Sequence, residues 1–169
     1  MIFRAAEPAD ASDIAALLNP IIRETTISFT TSPKSVAEIA EDIIARQQAG
    51  LPWIVASVND TCAGYVTATP FRRGEGYAQT LEHSLFVAPS AARAGIGRAL
   101  MHRLEETVIG AGVRSLVAGI SAENLPAVTF HRQIGFTDVG RIARAGVKFG
   151  REIDLLLLQK HLSSLTDKG

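Results

Sequence analysis

A strand, a helix and a second strand follow one another in the middle of the chain, and this order constrains the fold most. Residues Thr80–Val87 are rich in β-forming side chains, apolar residues recur at helical spacing over 99–108, and 115–120 is again strand-like. Two strands joined by a helical crossover lie parallel in one sheet, with the helix packed on one face. The middle of the chain therefore predicts a sheet that contains a parallel pair.

The segments on either side predict antiparallel strands and further helices. Helices are expected after Asp10, from the capping-box pair Ser35 and Glu38 to Gly50, and from the cap Asn124 to Gly135; strands are expected at 2–5, 53–58, 62–69, 136–143 and 152–159. The full order is β α α β β β α β α β β. We therefore expect one α/β (α+β) domain over 1–162, with a mixed, mostly antiparallel sheet of about seven strands, helices on both faces, and a polar tail at 163–169.

The composition argues against several classes of protein. Hydrophobic residues make up 47% of the 169 residues, and 17 Lys and Arg residues balance 17 Asp and Glu residues, so we expect a globular chain that does not bind nucleic acid. Apolar runs such as 153–158 are far shorter than a membrane span, and the N-terminus does not resemble a signal peptide, so we expect a cytoplasmic protein without membrane contact. Cys62 is the one cysteine, and no His, Cys or carboxylate cluster has metal-ligand spacing, so we expect no metal.

A glycine-containing loop joins the first strand of the crossover to its helix. Its sequence is Arg93-Ala94-Gly95-Ile96-Gly97-Arg98. Two glycines let the backbone approach a ligand closely, and the N–H groups and dipole at a helix start favour phosphate oxygens. No Lys-Ser/Thr pair follows Gly97, which argues against a P-loop, and the third glycine of the dinucleotide fingerprint is absent. By itself the loop fits either a pyrophosphate site or a simple tight turn.

Several separated segments carry a family resemblance in addition to this loop. They are Thr25-Thr26-Ile27-Ser28-Phe29, Thr80-Leu81-Glu82-His83-Ser84-Leu85-Phe86-Val87, His131-Arg132-Gln133-Ile134-Gly135-Phe136 and Gly146-Val147-Lys148-Phe149-Gly150. With the element order, they resemble the GNAT superfamily of N-acetyltransferases over nearly the whole chain, and specifically its phosphinothricin and methionine sulfoximine acetyltransferase branch. In that superfamily the strands before and after the glycine loop splay apart, and the first of them pairs with the pantetheine arm of acetyl-CoA.

The resemblance implies acetyl-CoA as the co-substrate. The residues implied to hold it are Leu85, Phe86, Val87, Arg93, Ala94, Gly95, Ile96, Gly97, Arg98 and Asn124. One position departs from the family pattern, because Ala92 stands where the family usually has Gln or Arg. Most family contacts with the pyrophosphate come from backbone N–H groups, so we expect the loop to function, with Arg93 or Arg98 supplying the positive charge.

A base is needed for acetyl transfer to an amine, because an aliphatic ammonium has a pKa of about 10. Glu82 matches the family's catalytic glutamate, so the resemblance implies that it removes this proton, directly or through water; a solvent-facing carboxylate is the alternative. His131 stands where many family members have Tyr. It either protonates the leaving thiolate or hydrogen-bonds near the cofactor sulfur, and it equally fits packing beside Phe130. His83, on the opposite strand face from Glu82, is expected in packing or an interface.

The resemblance also implies a site for a small-molecule amine. Arg72 matches an arginine that holds the polar end of an amino-acid-like substrate, Phe29 and Tyr77 match aromatic pocket walls, and Lys148 is expected to reach the site from the last hairpin. The expected acceptor is a small amino acid or analogue such as methionine sulfoximine or phosphinothricin. A peptide N-terminus, a lysine or another amine remains open, as does a non-catalytic acyl-CoA-binding module. A homodimer is expected by resemblance.

Overall fold

The computed structural model describes residues 1–92 and 94–162, and in it seven strands form one sheet. In chain order they are β1 (Ile2–Ala5), β2 (Trp53–Val58), β3 (Thr61–Pro70), β4 (Thr80–Val87), β5 (Ser115–Ser121), β6 (Thr137–Lys148) and β7 (Arg151–His161). Across the sheet the order is β1-β2-β3-β4-β5-β7-β6. Among the described strands β4 and β5 pair in parallel and the other neighbours pair antiparallel, which confirms the predicted fold class.

Helices cover both faces of the sheet, as predicted. They are α1 (Ala11–Glu24), α2 (Val36–Gln48), α3 (Ile96–Gly110) and α4 (Leu125–Gln133). On one face α1 and α2 bury side chains such as Ile14 and Ile43 against Tyr65 of β3. On the other face α3 and α4 bury side chains such as Leu104 and Val128 in a second cluster. Each fully buried aliphatic side chain of this kind contributes about 1.5 to 3 kcal/mol to folding.

Side-chain caps fix where two of the helices begin. The Ser35 hydroxyl accepts a hydrogen bond from the Glu38 N–H at 3.2 Å, and the Glu38 carboxylate accepts one from the Ser35 N–H at 2.7 Å. This is the predicted capping box of α2. The Asn124 side chain accepts a hydrogen bond from the Ala127 N–H, which caps α4 with Pro126 in its first turn.

The last hairpin is longer than the sequence pattern predicts. We expected strands at 136–143 and 152–159, whereas β6 and β7 run to Lys148 and start at Arg151. The strand β6 lies at the edge of the sheet and is exposed along most of its length, so it lacks the apolar alternation by which a half-buried strand is recognised. Its turn is formed by Phe149 and Gly150, whose φ angles of 52° and 69° suit a tight hairpin.

The sheet separates between β4 and β5, as expected. Their pairing runs from Thr80 opposite Ser115 to His83 opposite Ala118 and then stops. Residues 84–87 of β4 still pair with β3, and residues 119–121 of β5 still pair with β7. The backbone of β4 that faces β5 is therefore without a strand partner over 84–87, and a V-shaped opening begins there. We call this opening the splay.

None of the described helices is both long and apolar enough to span a membrane. No group of three or more His, Cys, Asp or Glu side chains within 1–92 and 94–162 is arranged to hold a metal ion. The predicted polar tail, 163–169, lies outside the described residues.

Candidate active site

The carboxylate of Glu82 lies against a glycine of the neighbouring strand. Glu82 is on β4, opposite Thr69 of β3 and Val117 of β5. A methyl group at Gly119 would stand 2.7 Å from the Oε1 atom of Glu82, closer than real contacts of this kind. Only glycine at position 119 therefore leaves room for the carboxylate where it is. Sequence reasoning missed Gly119; the one available signal is a glycine inside an apolar strand, which often marks a close approach.

The environment of Glu82 suits a proton acceptor. Partial burial raises the pKa of its carboxyl group above the ordinary value, and the positive charge of Arg72 partly offsets this rise. Among the described side chains none forms an ion pair or hydrogen bond with this carboxylate. A half-buried carboxylate with a raised pKa and no fixed partner is typical of a catalytic base more than of a structural one.

Arg72 and Tyr77 belong to the loop that leads from β3 into β4. The Arg72 guanidinium lies 5.4 Å from the centre of the Phe71 ring, and its charge acts on Glu82. Tyr77 makes an edge contact with the same Phe71 ring and is 47% exposed. The structure therefore brings Arg72 to the Glu82 side of the sheet, whereas Tyr77 forms part of the open surface of the loop.

A cavity of about 80 Å³ occupies the splay. We call it the splay cavity. It brings together residues of β4, β5, α4 and the α1–α2 loop, among them the predicted Leu85, Phe86, Asn124 and His131, together with His83, Ser84, Gly119 and Ile27. Gly119 lines this cavity and also lies against the Glu82 carboxylate, so the carboxylate lies at the margin of the cavity.

Two histidines are hydrogen-bonded to each other beside the splay cavity. The Nε2 atoms of His83 and His131 lie 2.9 Å apart, and the Nδ1 atom of His131 lies 2.7 Å from the Ala127 carbonyl oxygen. Because a carbonyl only accepts, we assign a proton to Nδ1 of His131; in the neutral pair, Nε2 of His131 then accepts from Nε2 of His83. The Nδ1 atom of His83 is buried without a partner among the described residues.

Both rings are neutral near pH 7. Burial lowers the pKa of His131 and, with the neighbouring His131 ring, lowers the pKa of His83 to about 3. In this state Nε2 of His131 carries no proton and already accepts a hydrogen bond from Nε2 of His83. The arrangement favours hydrogen bonding and packing over proton donation for His131. The predicted contact with Phe130 is also present, with ring centres 5.3 Å apart at right angles.

The glycine loop has the backbone geometry expected of an anion site. Gly95 has a φ of 78°, which glycine adopts without strain, and α3 begins immediately after it without a side-chain cap. The first N–H groups of α3 are thus not bound by a capping side chain. A methyl group at Gly97 would lie 3.4 Å from the Phe130 ring, so this glycine lets α3 approach α4. Ala94 and Arg98 are exposed, Ile96 is buried, and Arg93 lies outside the described residues.

Phe29 and Lys148 each link the α1–α2 loop to the last hairpin. The Phe29 ring packs directly on Gly146, where an added methyl group would overlap the ring. The Lys148 ammonium donates a hydrogen bond to the Ser28 carbonyl oxygen, and burial lowers its pKa. Glu123 adds a second link between the α1–α2 loop and the last hairpin, because its carboxylate accepts hydrogen bonds from Thr26 and from Arg151. The sequence did not indicate this link.

Known proteins resemble this chain in both sequence and fold. A family model described as the acetyltransferase (GNAT) domain matches residues 3–157. The chain therefore belongs to the GNAT acetyltransferase family. It is 32% identical over 162 residues to the L-methionine sulfoximine/L-methionine sulfone acetyltransferase of Salmonella typhimurium, which covers 96% of this chain and 95% of that protein. It is 34% identical over 146 residues to the phosphinothricin N-acetyltransferase of Streptomyces viridochromogenes, covering 85% and 79% of the two chains.

Solved structures agree with this assignment. The phosphinothricin acetyltransferase from Sinorhizobium meliloti, determined in complex with acetyl-CoA, superposes with a TM-score of 0.90 at 28% identity and covers 99% of this chain and 91% of its own. The ribosomal-protein-alanine N-acetyltransferase from Brucella melitensis superposes with a TM-score of 0.92 at 33% identity and covers 96% and 100%. The predicted branch of the family is thereby confirmed, and the chain is a GNAT-type N-acetyltransferase.

Proposed function

We propose that this enzyme transfers the acetyl group of acetyl-CoA directly to the primary amine of a small amino acid or amino-acid analogue. The observation that carries the proposal is the carboxylate of Glu82, which is half-buried, has a raised pKa and lies over Gly119 at the margin of the splay cavity. Relatives named for methionine sulfoximine, methionine sulfone and phosphinothricin support an amino-acid-like acceptor.

Two features of the structure support acetyl-CoA as the co-substrate. The strand-free backbone of β4 over 84–87 suits an extended arm that pairs as a strand would, and the uncapped start of α3 suits phosphate oxygens. We assign cofactor binding to Leu85, Phe86, Val87, the loop Arg93-Ala94-Gly95-Ile96-Gly97-Arg98, and Asn124. Bound there, acetyl-CoA supplies an activated thioester, so no acetylated enzyme residue is needed. Cys62 is unsuited to that role, because burial raises its pKa to about 11.

Glu82 then acts as the base. The acceptor arrives mainly as an ammonium with a pKa of about 10, and a carboxylate beside it, directly or through one water, takes the proton that blocks attack. The raised pKa of Glu82 narrows the difference in pKa that this proton transfer must overcome. A backbone N–H of β4 near residues 85–87 stabilises the charge that develops on the thioester oxygen; such fixed donors contribute about 3 kcal/mol. His131 borders the site as a neutral hydrogen-bonding group.

Arg72 is proposed to bind the acid group of the acceptor. A guanidinium binds two oxygens of a carboxylate or phosphinate at once, and Arg72 is close enough to Glu82 to lower its pKa. Phe29 and Tyr77 are proposed pocket walls. Lys148, already bound to the Ser28 carbonyl, is proposed to fix the α1–α2 loop beside the acceptor.

A peptide N-terminus is the second candidate acceptor. The similarity to the Brucella melitensis structure named a ribosomal-protein-alanine N-acetyltransferase favours it. An acceptor site for a long peptide needs an open groove, whereas a site for a free amino acid needs a side chain that binds the amino acid's carboxylate. Acetylation of free amino acids but not of the matching N-terminal peptides would decide for the first candidate.

We further propose that the protein is a cytoplasmic homodimer of single-domain subunits, without nucleic-acid or membrane partners. The edge strand β6 supports the dimer, because Val139, Ile142 and Val147 are 53%, 45% and 61% exposed along it. Light scattering of the wild type and of Ile142→Glu tests this, since a charge at an apolar strand edge is expected to shift a dimer towards monomers.

Replacement of Glu82 by glutamine tests the central proposal. Glu82→Gln keeps the size of the side chain but removes the base, so kcat near pH 7 is expected to fall about 100-fold or more. Part of the rate returns at high pH, where the free amine becomes abundant. Thiol release from acetyl-CoA with amino-acid acceptors, followed from pH 6 to 10, measures both effects.

The same variant carries its own folding control. The pKa of the Glu82 carboxyl group is raised in the folded state, so at pH values above its pKa in the unfolded chain the ionised group destabilises the folded state. Glu82→Gln is therefore expected to be at least as stable as the wild type at pH 7. Undiminished turnover in a folded Glu82→Gln enzyme at pH 7 would place the base elsewhere.

A further inference from the structure

We propose that Glu123 is a positioning residue for acetyl transfer, because it holds the α1–α2 loop at the edge of the splay cavity, where the acceptor meets the thioester. The α1–α2 loop comprises residues 25–35. Glu123 lies in the turn between β5 and α4, 97 positions from Thr26 in the chain. The inference rests on the proposed function and adds a residue to its site.

The α1–α2 loop is held in place by side chains. Among the described residues no hydrogen bond between backbone groups joins 26–34 to another part of the chain. The end next to α2 is tied to Asn19 of α1, whose side chain bonds the N–H and the carbonyl oxygen of Lys34, each at 2.9 Å. The end next to α1 is linked to the last hairpin and to Glu123. The position of this end therefore depends on a few side-chain contacts.

The Glu123 carboxylate joins two segments that are distant in the chain. Its Oε2 atom accepts a hydrogen bond from the Thr26 hydroxyl at 2.6 Å, and its two oxygens accept from the Arg151 guanidinium at 2.7 and 3.2 Å. We call Thr26, Glu123 and Arg151 the clamp. Hydrogen bonds to an ionised carboxylate are shorter and stronger than those between neutral groups. The bonds from Arg151 and then from Thr26 lower the pKa of Glu123, so its carboxylate stays ionised at neutral pH.

The turn that carries Glu123 is fixed to the sheet and to α4. The Ala122 N–H donates to the Asp154 carbonyl oxygen of β7, and the Asn124 N–H donates to the Ser121 carbonyl oxygen, each at 2.9 Å. Asn124 also caps α4 through its side chain. Loss of the hydroxyl at position 26 is therefore expected to release the α1–α2 loop and to leave the turn in place.

The clamp lies at the edge of the splay cavity. Ile27 and Asn124 both line this cavity, and they directly follow Thr26 and Glu123 in the chain. The Thr26–Glu123 hydrogen bond therefore joins two walls of the cavity, one from the loop and one from the start of α4. Because the proposed pocket wall Phe29 belongs to the same loop, release of the clamp is expected to weaken acceptor binding more than acetyl-CoA binding.

Thr26→Val tests the clamp with a side chain of nearly the same shape. The variant removes the hydroxyl, so the KM of methionine sulfone as acceptor is expected to rise about 5- to 20-fold, while kcat and the KM of acetyl-CoA change less than about twofold. Thr26→Ser keeps the hydroxyl and should retain the wild-type KM. Thr107→Val, which removes an exposed hydroxyl from α3, is the matched control and should alter neither KM.

Glu123→Ala removes the carboxylate from the clamp. The acceptor KM should rise about as much as in Thr26→Val, and combining the two changes should add little, because both act through one hydrogen bond. Asp138→Ala is the control, since its carboxylate forms a similarly exposed pair with Arg132 outside the α1–α2 loop. Melting temperatures should differ little among these variants, because exposed ion pairs contribute little to stability.

Steady-state kinetics with both substrates varied decides the matter. Acceptor KM values equal to those of the controls, in an enzyme that acetylates amino acids, would overturn the role of Glu123 and leave the proposed function standing. The same holds if the KM of acetyl-CoA rises as much as that of the acceptor, or if Thr26→Ser behaves like Thr26→Val. A wild type that acetylates no amino acid would remove both proposals.

Discussion

At residue 119 the absence of one methyl group decides where the carboxylate of Glu82 lies. The Gly119 backbone does not need a positive φ, so alanine fits the strand itself. What alanine does not fit is the carboxylate, because its methyl group would stand 2.7 Å from Oε1. Gly119 is thus a positioning residue for the proposed base, and its effect on activity can be separated from its effect on folding.

Gly119→Ala is expected to lower kcat about 10- to 100-fold, because a displacement of about 1 Å of a catalytic group has effects of this size. The acetyl-CoA dissociation constant should change little. Gly140→Ala is the matched control: Gly140 also lies opposite Leu157, and its added methyl group would meet only that side chain, at 4.0 Å. Steady-state kinetics of both variants measures the difference.

A double variant shows whether the effect passes through Glu82. Aspartate is shorter by one methylene group, so a carboxylate at position 82 in Glu82→Asp no longer reaches over residue 119. Adding Gly119→Ala to Glu82→Asp is therefore expected to cost little further activity, which a double-mutant cycle reports as a large coupling. Purely additive losses would show that Gly119 acts by some other route.

At the scale of elements, the start of α3 depends on Gly95. Its φ of 78° is strained for other residues, by about 1 to 2 kcal/mol for an L side chain. Gly95→Ala is therefore expected to lower the melting temperature and to raise the acetyl-CoA KM several-fold, with little change in acceptor KM. Isothermal titration with CoA and thermal unfolding measure the two effects.

Gly110, at the other end of the same helix, provides the comparison. It has ordinary helical geometry, and a methyl group there would meet nothing within 4 Å. Gly110→Ala should therefore leave CoA binding unchanged and stabilise the helix slightly. Similar CoA affinities for the Gly95 and Gly110 variants would argue against the loop as the anion site.

Elements were predictable from the sequence where periodicity and caps specify them locally. The bounds of β4, the capping box at Ser35 and the Asn124 cap all follow from near neighbours in the chain. The edge strand β6 was underestimated because its side chains face solvent on both sides. Contacts between distant segments had no local signal at all: His83 and His131 are 48 residues apart, and Gly119 meets Glu82 only through strand register.

For the whole molecule, the histidine pair makes stability depend on pH. In the unfolded chain each histidine has a pKa of about 6.5, whereas in the folded chain both values are lowered, to about 3 for His83. Below about pH 6.5 the unfolded state therefore binds more protons than the folded state, and the free energy of unfolding falls as the pH falls towards 3. Urea unfolding at pH 7.5 and pH 5 is expected to show this loss.

Replacement of both rings separates this contribution from that of other groups. In His83→Leu/His131→Leu the decrease in unfolding free energy between pH 7.5 and 5 should be smaller than in the wild type. His102→Gln is the control, since His102 is exposed on α3 and, among the residues that the structure describes, pairs with Glu106 alone. An equal decrease in the double variant would mean that other groups cause the pH dependence.

The splay has a mechanical consequence. The sheet consists of a four-stranded half, β1 to β4, and a three-stranded half, β5 to β7, and among the described strands these halves pair only over 80–83 and 115–118. An extended ligand that pairs with the backbone of residues 84–87 supplies hydrogen bonds where β5 no longer does. Its binding therefore couples the two halves of the sheet. Amide hydrogen exchange would register this coupling: the amides of 84–87 that face β5 should exchange quickly in the free protein and slowly with CoA bound, while those of β1 stay unchanged.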